Sequence, residues 1–561
     1  MINHLAALRA EIKSTYDVVV VGSGYGGSIA ASRLARAGRS VCLLERGTER
    51  IPGEYPNSTP ELLKEVQFDA PALRAGPRTA LFDVRYNDDV NVVVGCGLGG
   101  TSQINAGICL RPDFAVFQSA AWPMALRTER TLDPYFDAAE AMLKPTPTIG
   151  AALLAPKTTA LEAAARAVQA SAKAVPILVN FDTLKGGVNH VGVTQNPCVF
   201  CGDCVSGCNY GAKSTLIMNY LPDARAHGAE IFTEAQVRHV ERSAEAWRIR
   251  GAWIEGGEFG APFEVAAEVV ILAAGTLGST EILLRSSQHG LILSARLGAR
   301  FSGNGDTVGF AYNTDRAIDG VGLGARPPGP EPVPGPCSTT MIDLRKRGVR
   351  EGSMIVEDGT IPGALAPLLA PFFTVESKVF GAGPKELLED THGVARGLES
   401  NLLGAYAGAV KNTLFMLLIG HDGSQGRLYL KDDRLRVAYP GLGTEPQFQG
   451  ASDFLDRLSH ALAGTYIKNP VWNALTRHNM LTGHPLGGCP MADSAEAGVV
   501  NDKGQVFCST IGTKVHAGLY VMDGSIVPTS LGVNPLMTIS ALAERCCDIL
   551  VKSGAPTHRP V

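Results

Sequence analysis

Residues 16–47, YDVVVVGSGYGGSIAASRLARAGRSVCLLERG, constrain the fold more than any other stretch. Four consecutive valines form a buried strand, the glycines make a tight turn, an Ala-rich segment has helical spacing, and VCLLE closes a second strand. Gly22, Gly24 and Gly27 fit G-x-G-x-x-G, which lets a backbone approach a pyrophosphate at a helix N-terminus. Glu45 follows 18 positions after Gly27, where a carboxylate at a strand tip accepts hydrogen bonds from a ribose. Strand, turn, helix and acid are in register, so the segment reads as a βαβ dinucleotide site and not as a bare turn.

One such unit does not choose between NAD and FAD. EVVILAAGTLGSTEILLRS (268–286) is another buried strand, and it ends on Ala274 and Gly275, small enough for close approach to a cofactor. NVVVGCGLGGTSQIN (91–105) again runs a Val-rich strand into glycines. Three glycine-rich strand ends imply a long, extended cofactor.

These segments, with HPLGGCPM (484–491) and GLYVMDGSIVPTSLGVNPLMTISALAER (518–545), resemble the glucose-methanol-choline (GMC) oxidoreductases. These are FAD-dependent enzymes that oxidise alcohols, and the likeness is to their cholesterol oxidase-like branch. The resemblance implies an α/β fold: a Rossmann-type FAD-binding domain with a second, sheet-based (α+β) substrate domain. The FAD-binding part is expected over 1–50, 85–112, 216–312 and 480–561, and the substrate part over 51–84, 113–215 and 313–479. Gly22, Ser23, Gly24 and Gly27 would hold the pyrophosphate and Glu45 the adenosine ribose. Gly100, Ser102, Asn105 and Ala106 would line the flavin, and Val237 would face the adenine. Asp523 and Gly524 would hold the ribityl and phosphate region, with Ala274, Gly275, Pro535 and Met537 also at the cofactor. Relatives that attach FAD covalently carry a His where this chain has Ile104, so non-covalent FAD is expected.

His484 and Asn534 correspond to the family's catalytic His and Asn. The chemistry asks for them: alcohol oxidation removes a hydride and a hydroxyl proton, so a group titrating near neutrality belongs beside the substrate oxygen. Asn534 would orient that oxygen. Glu357, in MIVEDGTIPG, loosely resembles the Glu that shuttles a proton during double-bond isomerisation in cholesterol oxidases; the alternative is an ordinary carboxylate.

CVFCGDCVSGC (198–208) does not belong to that pattern. Cys198, Cys201, Cys204 and Cys208 have the C-x2-C-x2-C-x3-C spacing of an iron-sulfur site. Asn209 stands where a Pro usually follows, so the fourth ligand is Cys208, a distant thiol such as Cys489, or none, giving a 4Fe-4S or 3Fe-4S cluster. Zinc and uncoordinated cysteines are the alternatives; zinc ribbons pair two C-x2-C knuckles farther apart.

The chain of 561 residues has a net charge of only −4 and no basic-aromatic interleaving, so nothing points to nucleic acid. Asp17 and Glu11 interrupt the N-terminus and Lys411 breaks the most apolar run, so neither a leader nor a membrane span is expected. A cytoplasmic location follows, with the 12 cysteines read as thiols. Helices are expected over 132–143 and 157–175, with Asp133 as N-cap of the first. RPPGPEPVPGP (326–336) reads as a surface loop. ALAPLLAPFF (364–373) reads as a lid admitting a hydrophobic alcohol, with transient membrane contact, or as a buried irregular segment.

Three functions are consistent with these features. The first is a dehydrogenase for a hydrophobic steroid or terpenoid-like alcohol, passing electrons through a cluster to an external acceptor, a quinone or carrier protein. The second is a cholesterol oxidase making hydrogen peroxide. The third is a catalytically silent flavin carrier.

Overall fold

The computed structural model describes residues 4–554, except 149, 330–332, 370, 372, 374–395, 398, 401 and 470–478. Strand Thr15–Val21 pairs in parallel with Val41–Leu44 on one side and with the C-terminal half of Glu258–Leu272 on the other. Glu230–Phe232 and Val515–Val521 extend this parallel sheet at its two sides. Val18 to Val21 are all buried, because both faces are covered and period-2 alternation gives way to a continuous apolar run. Helix Tyr25–Arg36 packs against helices Tyr220–Ala226 and Leu536–Lys552. The long strand Glu258–Leu272 turns its N-terminal half into an antiparallel meander with Trp247–Glu255 and Ala235–Arg242, the last an edge strand.

A second sheet of six antiparallel strands runs in the order Thr465–Lys468, Thr307–Tyr312, Leu414–Ile419, Ile355–Gly359, Thr340–Asp343, Ala172–Ala174. Its alternation separates two faces. Ile342, Val356, Leu414, Met416 and Leu418 pack under helices Pro156–Ala167 and Pro446–Ala461. Val308, Phe310, Glu357, Phe415 and Leu417 point the other way, into a cavity against the parallel sheet. The α/β class with a Rossmann-type domain and a sheet-rich substrate domain is therefore present.

Several local expectations shift. Thr307–Tyr312, inside the expected FAD-binding block 216–312, pairs in the second sheet. A smaller sheet joins Val66–Asp69 and Phe82–Arg85 to Val90–Gly95 and Met480–Thr482, so the expected break near 85 crosses paired strands. The helix expected over 157–175 ends at Ala167, because Ala172–Ala174 pairs with Thr340–Ile342. The first helix begins with Asp133 at its first turn and Leu132 as N-cap. The loop at 326–336 is exposed at its start, but Pro334, Gly335 and Pro336 are buried, and Gly335 N–H donates to the Phe200 carbonyl at 3.1 Å. That proline-rich end is a cover for the cysteine segment.

Candidate active site

The C-terminal ends of the parallel strands open on a cavity of about 790 Å³ that runs from Glu45 and Val237 to the second sheet. This is the crevice in which open α/β sheets bind nucleotides. A Cβ on Gly24 would meet no protein atom within 4 Å, whereas one on Gly27 would lie 1.9 Å from the Gly22 carbonyl oxygen. The two glycines therefore serve different ends: Gly27 packs helix against strand, and Gly24 leaves room beside the backbone at a helix N-terminus, where a pyrophosphate fits. Ser23 N–H and Oγ–H both donate to Glu45 Oε2, at 3.0 and 2.6 Å, so the carboxylate braces the glycine turn as well as facing the cavity.

Gly22, Ser23, Gly24, Glu45, Gly100, Asn105, Ala106, Val237, Ala274, Gly275, Asp523, Gly524 and Pro535 all line this cavity. Three expected cofactor residues do not. Gly27 is behind the turn. Ser102 points back, its hydroxyl donating to the Gly99 carbonyl at 2.7 Å and accepting from Leu216 N–H at 3.2 Å. Met537 is fully buried in the core, because Leu536 and Ile539 hold the cavity side of their helix and a residue one step on from Leu536 turns away. Asp523 is saturated by the protein: it accepts from Gly275 N–H at 2.9 Å, Ser279 Oγ–H at 2.5 Å, and both donors of Ser525. Its carboxylate fixes the N-terminus of helix Gly275–Gln288 at the cavity wall.

At the other end His484, Asn534 and Glu357 converge. His484 Nδ1 is 2.9 Å from Asp306 Oδ1. Asp306 Oδ2 accepts from Thr482 Oγ1–H at 2.8 Å and Gly483 N–H at 3.1 Å. A carboxylate only accepts, so the proton is on Nδ1 and Nε2 is left for the cavity. Burial pushes the imidazole pKa down, but the Asp306 charge and hydrogen bond outweigh it, and the net direction is up. Asp306 carries no motif and was absent from the sequence expectations.

Glu357 is buried, and Asn534 Nδ2 donates to its Oε2 at 3.2 Å. Glu357 Oε1 and Asn534 Oδ1 have no partner. Burial pushes the Glu357 carboxyl up to about 8, with Asn534 and His484 pulling it back and Asp306 and Asp358 adding to the rise. The group is thus a protonated acid at neutrality, able to donate. Because the folded carboxyl keeps a proton that the unfolded chain has lost, its contribution to stability falls as pH rises from about 4.5 toward about 8. Glu357→Gln, which cannot ionise, is expected to be more stable than wild type by on the order of a few kcal/mol above that range and no more stable below it. Thermal unfolding across pH measures this, and parallel curves for the two proteins contradict it.

The four cysteines of 198–208 line one small void together with Tyr210 and Lys213. Cys489 is elsewhere, 3.6 Å from Thr280 Oγ1, and is not at that void. Lys213 is buried, and its ammonium donates to the carbonyls of Gln103, Asn105 and Cys204 at 3.0, 2.6 and 3.0 Å. It links the cysteine segment to the loop expected to line the flavin. Val205 and Ser206 reach the main cavity, so the two spaces share a wall.

A doubly wound sheet with an open glycine turn, leading to an imidazole and an amide beside an apolar wall, defines a flavin-dependent oxidoreductase. Models of the GMC oxidoreductase family match residues 16–299 and 447–543, and the chain belongs to that family. It is accordingly an FAD-dependent enzyme acting on the CH–OH group of alcohols. It is similar to a cholesterol oxidase of Mycobacterium tuberculosis, 26% identical over 98% of this chain and 93% of that protein. It is also similar to a long-chain-alcohol oxidase of Arabidopsis thaliana, 24% identical over 94% of this chain and 66% of that protein. The crystal structure of a pyridoxine 4-oxidase from Mesorbium loti shares the fold, with a TM-score of 0.60 and 17% identity, covering 95% of this chain and 98% of that one.

Proposed function

We propose that the enzyme oxidises a hydrophobic, steroid or terpenoid-like alcohol to the carbonyl, binding FAD non-covalently. The observation that carries this reading is the apolar face at the substrate end. Val308, Phe310, Phe415 and Leu417 give the second sheet an apolar cavity face, interrupted by Glu357 of the same sheet, and His484 and Asn534 line the same cavity. Such a site accepts a bulky apolar body and recognises one oxygen. The likeness to a cholesterol oxidase along nearly the whole chain points the same way.

The glycine turn at Gly24 and the loop at 100–106 would hold FAD, which would supply the hydride acceptor. His484 Nε2 takes the hydroxyl proton, Asn534 orients the oxygen, and Glu357 holds a proton near the ring system. The apolar face excludes water. Ile104, at the cavity wall, offers no nucleophile to a flavin, so denaturation is expected to release all the flavin. The FAD-binding and substrate blocks follow the two large sheets, with Thr307–Tyr312 in the substrate part. Leu365 and Leu369 line the cavity and half-exposed Leu368 faces out, which favours the lid reading of this segment and its contact with a membrane surface; residues 370 and 372 of it lie outside those described. No helix among the described residues is long and apolar enough to cross a membrane. A cytoplasmic setting, in which cysteines stay reduced, is part of this reading.

For the acceptor, the reading is an iron-sulfur cluster held by Cys198, Cys201, Cys204 and Cys208, supplying one-electron chemistry toward a quinone or carrier protein. Two features support it. All four cysteines line one void. Lys213 is a buried ammonium with only carbonyl partners, and an anionic centre beside it would balance that charge. The void between the thiols is small, so their side chains must rotate apart to admit a cluster. The second reading is a cholesterol oxidase that reduces oxygen, with these cysteines structural. Iron and acid-labile sulfide measured on anaerobically purified protein, with peroxide yield per turnover on a sterol and on a long-chain primary alcohol, tests both. Flavin without iron or sulfide and stoichiometric peroxide removes the cluster; faster turnover of the primary alcohol removes the steroid reading.

A further inference from the structure

Edge strand Ala235–Arg242 carries a bulge between Val237 and His239. A bulge re-aims the side chains beyond it. Val237 stays inward and buried, and past the bulge Val240 takes the inward position, so His239 and Glu241 share the outer side. Helix Gly275–Gln288 covers this edge: Val240 N–H, left free by the missing next strand, donates to Ser286 Oγ at 2.9 Å. His289, the C-cap of that helix, therefore stands over the same strand.

His239 and His289 stack face to face, with ring centroids 3.8 Å apart and planes 1° from parallel. Glu241 Oε1 is 2.9 Å from His239 Nε2 and 3.8 Å from His289 Nδ1. The other carboxylate oxygen, Oε2, is 3.3 Å from Arg250 Nε, so Oε1 is the oxygen left to the imidazoles. Among the described residues this is the one trio of His, Cys, Asp or Glu whose ligand atoms all lie within 4.8 Å of one another. A single hydrogen bond explains His239. It does not explain the second imidazole, whose nitrogen is beyond hydrogen-bond reach of the carboxylate and whose ring, if protonated, repels its neighbour.

We infer that His239, Glu241 and His289 form a binding site for a divalent transition-metal ion, Zn2+ or Co2+, separate from the cysteine segment and the substrate cavity. Two imidazoles and one carboxylate are the donor set of such borderline ions, whereas Mg2+ and Ca2+ prefer all-oxygen shells. Ligand atoms of a tetrahedral ion with bonds near 2.0–2.1 Å stand roughly 3.3 Å apart, between the two separations found here. His239 is fixed by the strand. His289, half exposed, supplies the adjustment by turning its ring out of the stack toward the common point. A bound ion would clamp the end of helix Gly275–Gln288 to the strand that carries Val237, while the other end of the same helix lies on the cofactor cavity.

The flavin-loaded full chain titrated with Co2+, followed by visible ligand-field absorption and reversed with Zn2+, tests the site. Co2+ held by thiolates would show a charge-transfer band, so the readout is the difference between wild type and His289→Ala. Wild type is expected to bind one equivalent without thiolate bands, and His289→Ala and Glu241→Gln to bind it at least about tenfold more weakly with flavin content unchanged. A Zn2+-dependent rise in Tm should be present in wild type and lost in both variants. Absence of the thiolate-free band in wild type, or equal Co2+ affinity in wild type and either variant, overturns the inference.

Discussion

Replacing His484 with alanine is expected to lower kcat/KM for alcohol oxidation by about 10²- to 10⁴-fold, the contribution of a positioned proton acceptor. The flavin should stay bound, because the glycine cradle and the Asp523 brace are at other parts of the cavity wall. The expectation rests on a constraint of the site: with Nδ1–H held by Asp306, the neutral imidazole of His484 turns the Nε2 lone pair to the cavity, and neither Asn534 nor Glu357 offers a basic nitrogen there. Glu357 keeps its proton up to about 8, and Asn534 has no basic nitrogen. Stopped-flow reduction of the flavin by substrate reads the step without interference from the acceptor. Reduction within about threefold of wild type would place the proton acceptor elsewhere, with Glu357 the next group to replace.

The nucleotide end was legible in the sequence because its chemistry is local. Gly22, Gly24, Gly27 and Glu45 lie within one βαβ unit, and periodicity alone places them on a turn and a strand tip. The glycine turn at 100 and the strand end at Ala274 and Gly275 were legible for the same reason. Side-chain direction was less so. Ser102 and Met537 have the right neighbours in sequence but turn away, one into a 3-10 turn and one into a helix core, because direction along an element depends on which face its packing buries. The helix expected to continue to 175 failed in a similar way: Ala172–Ala174 has good helix formers, and pairing with a strand about 170 residues away overrides that propensity. Asp306 was not legible at all. It lies in SGNGDTV, a segment without periodicity or motif, 178 residues before the histidine it orients. His239 and Glu241 were read only as part of the strand around Val237, since nothing in one strand reveals that the end of a later helix brings His289 over it.

Asp306 is also where the second large effect is expected, because its carboxylate is asked to accept three times. His484 Nδ1–H takes Oδ1, and Thr482 Oγ1–H and Gly483 N–H take Oδ2. In Asp306→Asn one of those oxygens becomes an NH2 that can only donate. If the amide oxygen keeps Thr482 and Gly483, the NH2 faces Nδ1, which must then accept, and the proton moves to Nε2. The imidazole then presents a donor to the substrate hydroxyl in place of a lone pair. If the amide turns over, the oxygen keeps His484 and the NH2 is driven against two donors in a buried turn, which costs about 1–3 kcal/mol for the groups left unpaired. Either arrangement removes the negative charge that holds the His484 pKa up against burial. The variant is therefore expected to lose about 10²-fold in kcat, with flavin content unchanged. The acid limb of its kcat/KM profile should move to lower pH, since an imidazole without the anion loses its proton more easily. A merely structural Asp306 would lower Tm without moving that limb. The measurement is the pH profile of flavin reduction for wild type, Asp306→Asn and Asp306→Glu. The glutamate variant restores the charge, so it should return the limb toward its wild-type position even where its longer side chain leaves part of the rate unrecovered.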